Sequence, residues 1–172
     1  RYPEPDASNK LSKQNQFHKI YYHRMGTSQK EDVLIYEDPA HPLYYHSAAV
    51  TEDQQFLVVV INAGTSGTEI RVRKLNDNNS APFKIILPGF ENEGDVVDSK
   101  NGIIYLKTNV NAPNYKLVAI DYEHPEMSNW KTVIPEQQEV LSHVGIAGNY
   151  LFADYLKDAS TKVYQYEYDG KL

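Results

Sequence analysis

QFLVVVIN (55–62), GIIYLKTN (102–109) and NYLFADYL (149–156) decide the fold. Each is an apolar run of strand length, and their starts lie 47 residues apart. Other segments keep the same step. TEIRVRKL (68–75), YKLVAIDY (115–122) and KVYQYEYD (162–169) are spaced by 47, as are PFKIILP (82–88) and NWKTVIP (129–135). A fixed period in this range signals a stacked or circular array of one supersecondary unit. Every unit here carries strand patterns alone, so the array reads as all-β.

Outward from those runs, each unit resolves into four antiparallel strands. In the first they fall near 45–50, 56–61, 68–75 and 83–87, and Pro88-Gly89 ends the last. In the second they fall near 95–98, 103–108, 115–122 and 130–134. The third supplies 140–146, 150–156 and 162–168, with a fourth strand due near residue 176, beyond Leu172. Upstream, HKIYYHRMG (18–26) and EDVLIYED (31–38) read as two strands joined by the turn GTSQ. Residues 1–16 are polar, with Pro3 and Pro5, and read as loop. Pro39 and Pro42 break the sheet at DPAHP (38–42) because proline cannot donate a ladder bond.

Repeated four-stranded meanders favour a β-propeller over a β-sandwich, which seldom keeps an internal period. The expected blades are 1–38 (partial), 44–89, 91–136 and 139–172 (incomplete). A closed propeller needs about 4–8 blades. The chain therefore reads as a fragment, a partial β-propeller of about three to four blades. Open blade ends expose unpaired strand edges, so self-association is expected.

Composition narrows the function. The 172 residues carry a net charge of −6 and no cluster of Lys or Arg, which argues against nucleic acid as a partner. There are 14 Tyr, suited to half-buried sheet where the ring packs and the hydroxyl reaches water. No Cys is present, so disulfides, thiol nucleophiles and Cys-based zinc sites are excluded. No apolar run approaches the 18 or so residues of a membrane span. The expected setting is soluble, cytoplasmic or periplasmic, with no membrane partner.

Motifs for chemistry are weak. GTSG (64–67) has the wrong spacing for a nucleophile elbow, and no helix pattern follows it, so Ser66 reads as a loop residue. His18, His23, His41, His46, His124 and His143 read as structural or solvated. His41 and His46 lack a carboxylate at a metal-binding spacing. DNNS (77–80) lacks the spaced acids of a calcium loop, although Asn78-Asn79-Ser80 is a glycosylation sequon. Glu91, Glu93 and Asp95 form a small acidic cluster that reads as solvated. No catalytic residue, metal or cofactor is expected within the chain.

Several runs resemble a known family. KIYYHRMGTSQKEDVLIYEDP (19–39), GDVVDSKNGIIYLKTNVNAPNYKLVAID (94–121) and HPEMSNWKTVIPEQQEVL (124–141) look like the propeller of prolyl oligopeptidases. In that family the propeller has seven blades and caps a separate α/β-hydrolase domain that carries Ser, Asp and His. The resemblance implies a parent serine endopeptidase that cleaves short peptides after proline. It implies a non-catalytic gating role for this segment, with the hydrolase domain of the same chain and short proline-containing peptides as partners. The rival reading is a stand-alone propeller-type module that binds peptides or proteins.

Strand alternation places the second-to-third loops and the inter-blade links on one face. The resemblance puts Tyr45, Asn62 and Thr65 near the substrate cavity on that face. Many relatives carry Arg and Cys where this chain has Asn62 and Thr65.

Overall fold

The computed structural model describes residues 1–4, 14–78 and 81–172. The expectation for most of the N-terminal loop, and for Asn79-Ser80 of the sequon, lies outside them. Thirteen strands form four antiparallel sheets among the described residues. The first pairs β1 (Lys19–Tyr22) with β2 (Val33–Glu37). The second runs β3 (Tyr45–Val50), β4 (Phe56–Asn62), β5 (Glu69–Lys74) and β6 (Lys84–Leu87) in order. The third repeats it with β7 (Gly94–Lys100), β8 (Ile103–Thr108), β9 (Lys116–Asp121) and β10 (Lys131–Ile134). The fourth holds β11 (Val140–Ala147), β12 (Tyr150–Lys157) and β13 (Ser160–Tyr166). Meanders joined in this order are propeller architecture.

The period-2 rule explains how the sheets stack. On β4, Phe56, Val58 and Val60 face the third sheet, while Val59 and Ile61 face the first. On β8, Ile104 and Leu106 face the second sheet, and Ile103 and Tyr105 face the fourth. A strand buried on both sides loses its polar alternation, which is why FLVVVI and IIYL read as continuous apolar runs. Each fully buried Leu, Ile or Phe contributes roughly 1.5–3 kcal/mol, so the three inter-sheet seams hold the array together.

Several boundaries shift from the sequence reading, each for a local reason. The expected turn 99–102 shrinks to Asn101-Gly102, both at positive φ (52° and 80°), so β7 runs on to Lys100. Asn-Gly suits a two-residue hairpin turn. Asp158 and Ala159 (φ 48° and 57°) make another two-residue turn, so β13 starts at Ser160 rather than 162. Its end at Tyr166 follows from a turn in which the Gly170 N–H donates to the Glu167 carbonyl. Single 3₁₀ turns form at Gln29–Glu31, which takes Glu31 out of the strand expected over 31–38, and at Met127–Asn129 between β9 and β10. The first is capped by Ser28 and closed by Glu31.

Candidate functional site

The loop between β4 and β5 follows Asn62, the last residue of β4, and sits beside the link from β6 to β7. Gly67 makes that proximity possible. Its φ is +75°, and a Cβ there would lie 1.8 Å from the Phe90 carbonyl oxygen. Thr68 then fixes the link. Its N–H donates to the Asn92 carbonyl (2.8 Å), and its Oγ1 accepts from the Gly94 N–H (2.9 Å).

From the other side, the third sheet grips Glu93. The Glu93 N–H donates to Asn109 Oδ1 (2.8 Å), and Thr108 Oγ1 donates to the Glu93 carbonyl (2.7 Å). The Tyr115 hydroxyl donates to the Glu93 carboxylate. That bond, with burial and the carboxylate's charge, pushes the Tyr115 phenol up to about 12. Tyr115 holds a positive φ of 65°, uncommon for a bulky residue. Its amide donates to the Ala112 carbonyl (2.8 Å).

These contacts enclose a polar depression of about 180 Å³, whose walls include Asn62, Thr65, Thr68, Glu93, Lys107 and Tyr115. The Lys107 ammonium lies over the Tyr115 ring and donates to the Ser142 carbonyl (2.7 Å). Asn62 and Thr65 are thus on one wall. Tyr45 pairs across the ladder with Asn62 and is 57% exposed, outside the depression itself.

The repeat isolates Asn62. One unit later, Asn109 uses its side-chain oxygen to hold the Glu93 N–H, just ahead of β7. The matching donor for Asn62 is the His46 N–H, which is taken by the His18 ring at 3.1 Å. The Asn62 amide makes no hydrogen bond among the described residues. Sequence reading missed the Glu93–Tyr115 pair. Glu93 read as a solvated acid, and Tyr115 looked like any strand-starting aromatic.

Two His–Asp pairs form among the described residues. His23 Nδ1 lies 2.7 Å from Asp32, and His41 Nδ1 lies 2.9 Å from Asp38. Neither imidazole bonds a Ser or Thr hydroxyl there, so each pair lacks the nucleophile a triad requires. No three His, Asp or Glu side chains converge there in a metal-binding group.

Comparison with known proteins gives the family. The family model described as prolyl oligopeptidase, N-terminal beta-propeller domain, matches residues 1–172. The chain belongs to that family. Prolyl endopeptidase from Elizabethkingia miricola is 38% identical over 171 residues, which are 99% of this chain and 24% of the relative. Prolyl oligopeptidase A from Amanita bisporigera is 34% identical over 158 residues, or 89% of this chain and 20% of the relative. In structure, prolyl oligopeptidase B from Galerina marginata bound to a 25mer macrocyclization substrate gives a TM-score of 0.89 at 25% identity. That match covers 99% of this chain and 24% of that one. The propeller segment thus spans about a quarter of the length of the relatives it matches. Among its described residues no helix is long and apolar enough to cross a membrane.

Proposed function

We propose that this segment is the substrate-gating part of a serine endopeptidase that cleaves short peptides after proline. The match of residues 1–172 to the propeller of prolyl oligopeptidases carries the reading. Two named relatives, a prolyl endopeptidase and a prolyl oligopeptidase, support the parent activity. Catalysis belongs to an α/β-hydrolase domain of the same polypeptide, and the propeller segment is itself inactive. Its stacked sheets form a stiff wall that admits narrow, extended peptides and helps keep water from the reacting centre.

The loop face supplies the reading groups. The free Asn62 amide can donate to a peptide carbonyl and accept from a peptide N–H. The Thr65 hydroxyl adds a second polar contact from the same wall. The exposed Tyr45 ring offers a flat apolar surface to a proline ring.

Hydrolysis of a proline-containing fluorogenic peptide tests the proposal. The isolated 172-residue chain gives no turnover, and the polypeptide that joins it to its hydrolase domain cleaves after proline. Turnover by the isolated chain overturns the inactive assignment. In the joined enzyme, Asn62→Ala raises KM several-fold with kcat little changed, the pattern of lost uniform binding. Unchanged KM removes Asn62 from the site.

A further inference from the structure

His18 and His46 face each other across the seam between the first two sheets, and each ring bonds the other residue's backbone. The His46 N–H donates to His18 Nδ1 at 3.1 Å, and His46 Nδ1 lies 2.9 Å from the His18 carbonyl. The rings stack, with centroids 5.8 Å apart and planes at 10°. This geometry fixes both tautomers. His18 must present an unprotonated Nδ1 to accept, and His46 must carry its proton on Nδ1 to donate. His46 Nε2 is then a bare lone pair, and that atom is buried with no partner among the described residues. His46 itself is only 5% exposed.

A proton has no comfortable place in this pair. On His18 Nδ1 it replaces the acceptor with a donor aimed at the His46 N–H. On His46 Nε2 it buries a charged N–H with nothing to receive it.

The surroundings mostly agree. The Tyr2 ring packs on His18 (4.7 Å between centroids), and the Tyr36 ring meets His46 edge-on (5.0 Å). Burial lowers both imidazoles from their ordinary value. His46 adds to this for His18, and the Arg71 guanidinium adds for His46. On His46 two influences oppose burial, the hydrogen bond to the His18 carbonyl and the Asp38 charge. Asp38 already holds His41 at 2.9 Å.

We propose that His18 and His46 form a proton-sensitive clasp, which fastens the β1–β2 sheet to β3 when neutral and releases it on acidification. A base held below its ordinary value binds fewer protons folded than unfolded. The clasp's stabilisation is therefore complete above the unfolded value of 6.5 and declines as pH falls through it.

NMR titration of the two imidazoles and amide hydrogen exchange at His46 test the clasp in the unmodified chain. Both midpoints fall below 6.5. The protection factor at the His46 amide drops roughly tenfold or more between about pH 7.5 and pH 5. Midpoints at or above the ordinary value, or constant protection, overturn the proposal. The double variant His18→Asn/His46→Asn keeps an acceptor and a donor near the same places but cannot titrate. Its protection stays flat over that range, and a decline equal to the parent's overturns the proposal. If the double variant does not fold, the titration of the unmodified chain decides alone.

Discussion

The seam between the second and third sheets and the seam between the third and fourth solve the same problem with different chemistry. The first is aliphatic. Val58, Ile70, Val72, Ile86 and Leu87 meet Ile104, Leu106, Val118 and Ile120, with Phe56 and Tyr122 as its rings. The second is rich in tyrosine, for Tyr105, Tyr155 and Tyr166 sit inside it and Tyr115 and Tyr168 pack on its margin. Their fastenings differ too. The first seam is tied mainly by carboxylates at the β3–β4 and β7–β8 hairpins, with the Glu52 N–H on Asp98 (2.8 Å) and Ser99 Oγ on Asp53 (2.7 Å), and at its far edge by Lys84 donating to the Tyr122 carbonyl (3.0 Å). The second is tied by amides and ammonium groups on backbone carbonyls and by the Asn114 N–H on the Glu136 carboxylate (2.6 Å). Asn114 Nδ2 donates to Gln137 and Gln138 (3.1 Å each), and Lys107 donates to Ser142. One repeat thus builds a dry seam and a half-polar seam on the same backbone plan, and the candidate site lies where the two plans meet.

Leu106→Ala should break the comparison most. Leu106 is fully buried in the aliphatic seam. The loss should be about 3–5 kcal/mol, as for other Leu→Ala cavities in tight cores. Chemical denaturation measures it. A cost under about 1 kcal/mol would show that the sheets do not stack rigidly at this seam.

A second, smaller effect separates two equivalent positions. Gly67 and Asn114 lie 47 residues apart, facing the carbonyls of Phe90 and Gln137, themselves 47 apart. At Gly67 the carbonyl takes the space a Cβ would need, at 1.8 Å. At Asn114 the side chain reaches the corresponding carbonyl and donates to it. Gly67→Ala should therefore cost about 2–3 kcal/mol through overlap and positive φ. Asn114→Ala should cost about 1 kcal/mol, the loss of exposed hydrogen bonds. Equal costs in thermal melts would mean that the link adjusts freely at both seams.

How much of this is legible in the residues depends on range. The 47-residue step and the double-sided apolar runs report strand order and stacking directly, because alternation and burial are local signals. Tyr45, Asn62 and Thr65 were reachable only through family resemblance, since nothing in their own spacing marks a site. The Glu93–Tyr115 bond joins residues 22 apart, each just ahead of a different strand. Its sole local trace is the left-handed backbone at Tyr115, which a sequence does not display. The freedom of the Asn62 amide is harder still. It depends on His18 displacing it from a backbone donor that Asn109 keeps one unit later.

The smallest effect concerns the carboxylate tie at the first seam. One oxygen of Asp53 accepts from Thr51 Oγ1 (2.8 Å), Ser99 Oγ (2.7 Å) and the Gln55 N–H (3.0 Å). Partial burial alone would raise this carboxyl, but the three bonds outweigh it and hold it below its ordinary 3.8. A carboxyl lowered on folding contributes stability above its unfolded value, and that contribution is lost as pH falls through the folded one. Asp53 is exposed, so solvent screens the interaction and Asp53→Asn should cost under about 1 kcal/mol at neutral pH. The difference between Asp53→Asn and the parent should shrink as pH falls below 3.8 and vanish once the folded carboxyl is protonated, where both side chains are neutral. Urea denaturation across that range checks it. A difference that persists in acid would assign the tie to hydrogen-bond geometry alone. The contrast between the seams would then lie in their packing, not in the charge of their fastenings.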